Sequence, residues 1–185
     1  MDKRLYKTNK KILIAFKNLL KTHDYSEIII EDIIQEAKIV RSTFYRHYKT
    51  KNDVLDSVCK DIFDHVFSHA LQEEKSHDFS KSSILDYKHY ITHIFYHLDD
   101  ENELLHAILN SEAKSFFIDS LKKEFKPFAN ICLKNKFFNN SKLPEKLMLE
   151  SILANFILVI NYWDQTNFSN SPEMLTEYFI ILNNK

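Results

Sequence analysis

Between residues 41 and 51 the chain carries a dense run of side chains that donate hydrogen bonds. Arginine pairs in bidentate fashion with the edge of guanine, and serine and threonine hydroxyls contact bases or phosphates. Phenol, imidazole and ammonium groups suit phosphate oxygens, which fix register without reading sequence. The chemistry that this run supports is therefore nucleic-acid binding. Its candidate residues are Arg41, Ser42 and Thr43 for bases, Tyr45, His47 and Lys51 for phosphates, and Arg46 within the same run.

The spacing of apolar residues around this run predicts two short helices, 31–37 and 41–48, joined by a tight connector. Phe44 and Tyr48 are four residues apart and share the inward face, whereas Tyr45 is turned by about 100° toward the outside. Two short helices flanked by longer ones form a helix-turn-helix. In that motif the second helix enters the major groove, with its N-terminal residues facing base edges.

The rest of the chain also predicts helices. Apolar residues recur at helical spacing over 9–22 and over 51–73, and no segment predicts a strand. A polar loop is expected at 74–81. The last helix is expected to begin with Ser171 as N-cap and Pro172 in its first turn. The pattern predicts an all-α protein with about nine helices.

Composition excludes several classes of protein. Among 185 residues there is no glycine, and P-loops and the dinucleotide-binding fingerprint both require it. Two cysteines are too few for a disulfide framework or a four-cysteine zinc site. The N-terminus does not read as a signal peptide, and no apolar run, 156–160 included, is long enough to cross a membrane. We therefore expect a cytoplasmic protein that binds no membrane.

Charge is distributed unevenly along the chain. Residues 1–60 carry 13 Lys and Arg against 8 Asp and Glu, a net charge of +5, whereas residues 61–185 carry a net charge of −6. A basic N-terminal segment joined to an acidic remainder indicates a nucleic-acid-binding head on a body with another task.

Three histidines offer a different chemistry. His89, His93 and His97 are spaced four residues apart, and two histidines at that spacing on a helix can share a metal ion. The apolar residues of the same helix cluster around Ile91, on the side opposite the histidines. We therefore expect the stripe to face solvent or a ligand pocket, with no metal bound and no catalytic residue.

The run STFYRHYKTKNDVL, residues 42–55, closely resembles the signature of the TetR family of bacterial one-component transcriptional regulators. The resemblance is highly specific over about residues 8–58. It is looser in the tail, where a long apolar helix ends in Tyr162 and Trp163. In the middle, about 75–140, it extends only to helical character.

The resemblance implies an all-α homodimer that dimerises through its last two long helices. It places a helix-turn-helix DNA-binding domain at 1–52 and a helical effector-binding and dimerisation domain at 53–185. The family usually has glycine in the turn between the two short helices, where this chain has Lys38. We expect Lys38 to adopt a left-handed or otherwise costly backbone conformation, at about 1 kcal/mol.

These features predict a sequence-specific DNA-binding transcriptional regulator that is not an enzyme and uses no cofactor. We expect a repressor that a small apolar or aromatic effector releases from a palindromic operator in double-stranded DNA. One alternative is an activator or adaptor whose C-terminal domain binds a protein. A remote alternative is a metal-binding sensor or enzyme that uses His89, His93 and His97. Candidate pocket residues, which the sequence does not separate from ordinary core, are Phe95, Tyr96, Phe116, Phe117, Phe125 and Phe128.

Overall fold

The computed structural model describes residues 3–67, 87–138 and 143–184. Within these ranges it contains nine helices and no strand, which confirms the predicted fold class. The predicted loop at 74–81 lies outside the described residues. The helices are α1 (Lys3–Leu20), α2 (Ile30–Glu36), α3 (Arg41–His47), α4 (Lys51–Phe67), α5 (Tyr87–Asp99), α6 (Asn102–Leu109), α7 (Lys114–Lys134), α8 (Glu145–Gln165) and α9 (Pro172–Asn183).

The described residues belong to two compact units. Unit 1 comprises Met1–Lys60 with Glu103–Ser120, and unit 2 comprises Asp61–Asn102 with Leu121–Lys185. The predicted domain boundary after residue 52 falls in the first turn of α4 and stays a prediction.

Unit 1 is built on the amphipathic face of α1. The predicted apolar stripe of this helix is buried at Ile12, Ala15 and Phe16, and α1 packs against α2, which in turn contacts α3. The ring of Phe16 meets Tyr25 edge to face, with centroids 6.3 Å apart. Because α2 and α3 have seven residues each, they are too short to be stable alone and depend on this packing.

The turn between α2 and α3 is a Schellman motif with lysine in the glycine position. The backbone N–H of Lys38 donates to Gln35 (3.1 Å) and that of Ile39 donates to Ile34 (3.2 Å). Lys38 has φ 53°, so of the costly backbone conformations expected here it adopts the left-handed one. Lys136 repeats the arrangement after α7, with φ 57°. A chain without glycine closes these helices with lysine, at a cost in backbone energy.

The core of unit 2 is aromatic. Phe125 and Phe156 stack with centroids 4.0 Å apart and an interplanar angle of 10°, and Phe179 meets both edge to face. Helix α9 packs against α5 and α8. Its predicted start is confirmed, because Pro172 is its first residue and the Ser171 hydroxyl accepts a hydrogen bond from the Met174 N–H.

The histidine stripe on α5 does not face solvent, which was one of the two positions expected for it. His93 is only 1% exposed, and His89 and His97 are partly buried. The angular position of the histidines relative to Ile91 does not predict their exposure. All five residues 91–95 are buried, so the middle of α5 is enclosed on every side. The Nε2 atoms of His93 and His97 lie 2.9 Å apart. Among the described residues, no group of three or more His, Cys, Asp or Glu is placed to hold a metal ion.

Helix α8 is long and apolar enough, by length and composition alone, to cross a membrane. It satisfies this test although its longest uninterrupted apolar run is short. Core helices of soluble proteins pass the same test, and seven α8 residues, including Phe156 and Trp163, are buried inside unit 2. The observation therefore carries little weight for a membrane location.

Replacing Lys38 by glycine is expected to stabilise the protein. Glycine removes the left-handed cost, which exceeds the entropy that it adds to the unfolded chain, so the free energy of unfolding rises by about 0.5–1 kcal/mol. Urea denaturation measures the change. Lys49→Gly is the matched control: Lys49 is also an exposed loop lysine but lacks a positive φ, so this variant loses stability. Equal losses in the two variants would contradict the assignment.

Candidate nucleic-acid interface

Helix α3 has one face in the core and the other at the surface. Phe44 is fully buried and Tyr48 is 6% exposed, whereas Tyr45 is 43% exposed. Thr43 and His47 are half-buried at the edges of the helix. We call the exposed set the recognition face, and it consists of Arg41, Ser42, Tyr45 and Arg46.

The Arg41 guanidinium is held by two neighbours. It forms an ion pair with Glu31 of α2, with 2.6 Å between Nη1 and Oε1. It also lies over the ring of Tyr45, 5.5 Å from the centroid, and Nη2 is 3.5 Å from the phenol oxygen. An exposed ion pair is worth about 0–1 kcal/mol. Arg41 can therefore exchange Glu31 for another acceptor at little cost.

His47 has one ring nitrogen turned inward. Its Nε2 atom is buried without a hydrogen-bond partner in the described structure. Burial, aided by the neighbouring Arg46 guanidinium, lowers the pKa of His47 below its ordinary value of 6.5. The imidazole is therefore neutral at pH 7. A phosphate contact from the neutral ring would be made by N–H donation, not by charge.

A reciprocal capping box positions the start of α4. The Asp53 carboxylate accepts hydrogen bonds from the backbone N–H groups of Lys49 and Thr50, both at 2.9 Å, and the Thr50 hydroxyl accepts one from the Asp53 N–H. Burial acts to raise the pKa of Asp53, but the hydrogen bonds from Thr50 and Lys49 outweigh it, so the pKa is lowered. This box places Lys51 in the first turn of α4.

The Lys51 ammonium lies among acceptors supplied by the connection between α1 and α2. It donates to the carbonyl oxygens of Tyr25 (2.6 Å) and Ile28 (3.1 Å) and lies 4.1 Å from the centroid of the Tyr25 ring. Burial, with a smaller contribution from Glu112, raises the pKa of Tyr25 to about 12, so the phenol stays neutral and donates to Asn52. Two of the three ammonium N–H bonds are used inside the fold, and one remains for an external acceptor.

A hydrogen bond joins α1 to Tyr48, the residue that follows α3. The Tyr48 hydroxyl donates to the Asn9 side-chain oxygen of α1. The exposed lysines Lys7 and Lys11 lie within one turn of Asn9 on α1. The basic N-terminal helix is therefore anchored beside the C-terminal end of α3.

All seven predicted site residues fall in unit 1, and four of them share the recognition face. The sequence did not point to three residues that hold them: Glu31 pairs with Arg41, Tyr25 supports Lys51, and Asn9 accepts from Tyr48. No local signal could have found these residues, because each contact joins segments that are at least ten positions apart.

The helix-turn-helix region is also the part of the chain that a family model matches. Residues 12–58 match the family model described as bacterial regulatory proteins, tetR family. The chain is also similar to proteins that are named as regulators, over differing shares of their length.

The chain is 35% identical over 71 residues to YxbF of Bacillus subtilis (strain 168), an uncharacterized HTH-type transcriptional regulator; the match covers 36% of the chain and 19% of YxbF. It is 26% identical over 114 residues to DhaS of Lactococcus lactis subsp. lactis (strain IL1403), the dhaKLM operon transcriptional activator, covering 60% of the chain and 54% of DhaS. The chain thus spans about one fifth and about half of these two relatives.

A solved structure extends the similarity to the whole chain. A TetR transcriptional regulator from Streptococcus agalactiae 2603V superposes with a TM-score of 0.71 at 26% sequence identity, covering 100% of this chain and 97% of that one. The expected all-α fold with an N-terminal helix-turn-helix region is confirmed by this structure and by the family model.

Replacing Lys51 by methionine is expected to destabilise the protein even without a ligand. The substitution keeps most of the side-chain volume but removes two hydrogen bonds from a charged donor, so the free energy of unfolding falls by about 1.5–3 kcal/mol. Urea denaturation measures this loss. Lys49→Met, at an exposed position two residues away, is the control and changes stability by less than about 0.5 kcal/mol. If the two variants are equally stable, Lys51 does not have the structural role described.

Proposed function

We propose that this chain, of which residues 12–58 match the model of the TetR family of bacterial regulatory proteins, is a TetR-family, sequence-specific DNA-binding transcriptional regulator in which α3 enters the major groove. One observation carries the proposal: burial of Phe44 and Tyr48 orients α3 so that its donors form a continuous exposed face. A helix-turn-helix uses the second of its two short helices in this way.

The residues divide into base readers and phosphate contacts. Arg41, at the N-terminal end of α3, reads guanine through its guanidinium, and Ser42 and Thr43 supply hydroxyls near the bases. Before it reaches a base, Arg41 gives up the exposed pair with Glu31, at small cost. The phosphate contacts are Tyr45, Arg46, His47 and Lys51, the last through its remaining N–H.

Long-range electrostatics supports the same partner. Residues 1–60 have a net charge of +5, and Lys7 and Lys11 are exposed on the helix anchored to the end of α3. A basic surface draws the protein to the duplex and contributes affinity that does not depend on base sequence.

A second copy of the chain is the proposed occupant of an apolar face on α8 and α9. Exposed large apolar side chains recur at helical spacing along these two helices, on the side away from the face that packs into unit 2. They are Leu147, Leu158, Tyr162, Met174 and Ile181. A two-fold dimer would present two α3 helices to successive major grooves, about 34–36 Å apart, on a palindromic operator.

We propose that the protein represses transcription. A small apolar or aromatic effector that binds in the helical C-terminal domain relieves this repression. The candidate pocket residues of unit 2 lie in or beside its aromatic core, so an effector there would have to repack ring contacts such as Phe125–Phe128. The activator alternative draws on DhaS, which is named as an activator. A reporter behind the selected operator separates the two, because deletion of the gene raises expression for a repressor and lowers it for an activator.

DNA binding is tested by selecting duplexes from a random pool and titrating the winner against salt. We expect an enriched palindrome and an affinity that falls steeply with salt, with a slope of about −0.9 per phosphate contact. Arg41→Ala should relax base preference at one position in each half-site and cost about 1–3 kcal/mol there. Tyr45→Phe and Arg46→Ala should weaken binding to all sequences alike.

Lys126→Ala, a change at an exposed lysine of α7 in unit 2, is the control and should bind as the unaltered protein does. A flat dependence on salt, or no enriched duplex, would refute the proposal. Unchanged affinity in all three α3 variants would refute the placement of α3.

Dimerisation is tested by placing a charge on the apolar face. Leu158→Glu puts a carboxylate where a second copy would bury the side chain, so sedimentation equilibrium should show a dimer becoming a monomer and operator affinity should fall. Ile131→Glu, at another exposed apolar position on α7, is the matched control and should remain dimeric. A monomeric unaltered protein, or identical behaviour of the two variants, would contradict dimerisation through α8 and α9.

A further inference from the structure

The residue immediately before α3 is an exposed valine. Val40 is 65% exposed, the largest value among the large apolar side chains of the described residues. It is followed directly by Arg41 and Ser42 of the recognition face. A large apolar side chain presented to water at the leading end of this helix has no evident role in the free protein.

Val40 is also the N-cap of α3, a position where an apolar residue is unfavourable. N-caps prefer Ser, Thr, Asp or Asn because their side-chain oxygen accepts a hydrogen bond from the first turn, and valine ranks near the bottom of this preference. The cap of α3 makes no side-chain hydrogen bond. By contrast, Ser171 caps α9 with its hydroxyl.

A second apolar N-cap shows how this cost can be offset inside the fold. Ile29 caps α2 and is 54% exposed, but the Asp32 carboxylate accepts a hydrogen bond from its backbone N–H at 2.8 Å. The equivalent third position of α3 is Thr43, and no comparable bond to Val40 is found there in the described structure. Residues that go against a local structural preference, with nothing in the free chain to offset the cost, often lie at sites that bind a ligand.

We infer that the Val40 methyl groups contact the 5-methyl group of a thymine in the major groove, so that Val40 is a specificity-determining residue. The inference rests on the proposed function, which brings the N-terminal end of α3 to the base edges. Thymine is the base that presents a methyl group in the major groove, and apolar side chains recognise it by contact. Because valine is β-branched and stiff at χ1, ordering it against the base costs little entropy.

The mostly polar sequence neighbours of Val40 favour a single methyl group over a protein surface as its partner. Its sequence neighbours Lys38, Arg41 and Ser42 are exposed and polar, and Ile39 is half-buried. A protein interface would ordinarily need a contiguous apolar patch. One apolar side chain beside cations and hydroxyls matches the edge of a thymine next to hydrogen-bonding bases and phosphates.

The test uses the full-length protein and the duplex selected from the random pool. Each thymine in a half-site is replaced singly by uracil, which removes the 5-methyl group and leaves every hydrogen-bonding group in place. For the unaltered protein we expect uracil at one thymine per half-site to reduce affinity about fourfold, the value of one buried methyl group. The Val40→Ala variant should bind the thymine and uracil duplexes equally.

Two further variants separate the effect of Val40 on base recognition from its effect on the stability of the fold. Val40→Ser restores a favourable N-cap, so it should raise the free energy of unfolding while abolishing discrimination between thymine and uracil. Ile29→Ala changes the other exposed apolar N-cap and should keep the full fourfold discrimination. Together they exclude general destabilisation of the helix-turn-helix as the cause of an altered preference.

A specific duplex whose affinity does not depend on any thymine methyl group overturns the inference and leaves the proposed function intact. The same holds if Val40→Ala remains as sensitive to uracil as the unaltered protein. If no specific duplex is enriched, the proposed function fails first, and the inference falls with it.

Discussion

The candidate interface depends on the burial of two aromatic rings on one side of a seven-residue helix. An isolated helix of this length is not stable in water, so α3 exists because Phe44 and Tyr48 are held in the core of unit 1. The same burial fixes the rotation of the helix about its axis. A rotation that exposed Phe44 would turn Tyr45 inward and break up the recognition face.

Around this anchor, hydrogen bonds within the first unit place the cations. The capping box of Thr50 and Asp53 sets where α4 begins, and backbone carbonyls hold Lys51 in the first turn. A cation is unfavourable near a helix N-terminus because of the helix dipole. Carbonyl oxygens and the Tyr25 ring offset that cost. The Lys51 side chain therefore both stabilises the fold and makes the proposed phosphate contact.

The absence of glycine shapes the molecule in a less obvious way. Helix ends that close through a left-handed residue need glycine for lowest energy, yet here Lys38 and Lys136 take that conformation. The turn between α8 and α9 goes further, with Asn167 and Phe168 both left-handed. Packing of the flanking helices must outweigh these costs, which makes the turns dependent on the tertiary structure that they connect.

Much of the local structure could be read from the residues themselves. Helical periodicity predicted the all-α fold, the inward Phe44 and Tyr48 and the outward Tyr45. Residue type predicted the cap at Ser171, and the resemblance to the TetR family, which usually has glycine in the turn, predicted a costly backbone at Lys38. The helices and the cap follow from backbone sterics or from which face of a helix is apolar, and both are properties of a few neighbouring residues. The most specific part of the resemblance to the TetR family likewise lies in one contiguous run, residues 42–55.

Only the tertiary structure decided the partners of the charged and polar groups. The attachment of Lys51 to the carbonyls of Tyr25 and Ile28 joins residues more than twenty positions apart, and no side-chain pattern marks a carbonyl acceptor. The burial of His93 was likewise not readable, because periodicity gives the apolar side of α5 but not whether other helices cover its polar side. Local sequence thus determined which helices form and which face of each is apolar. Packing between distant segments determined which groups each charged or polar side chain contacts.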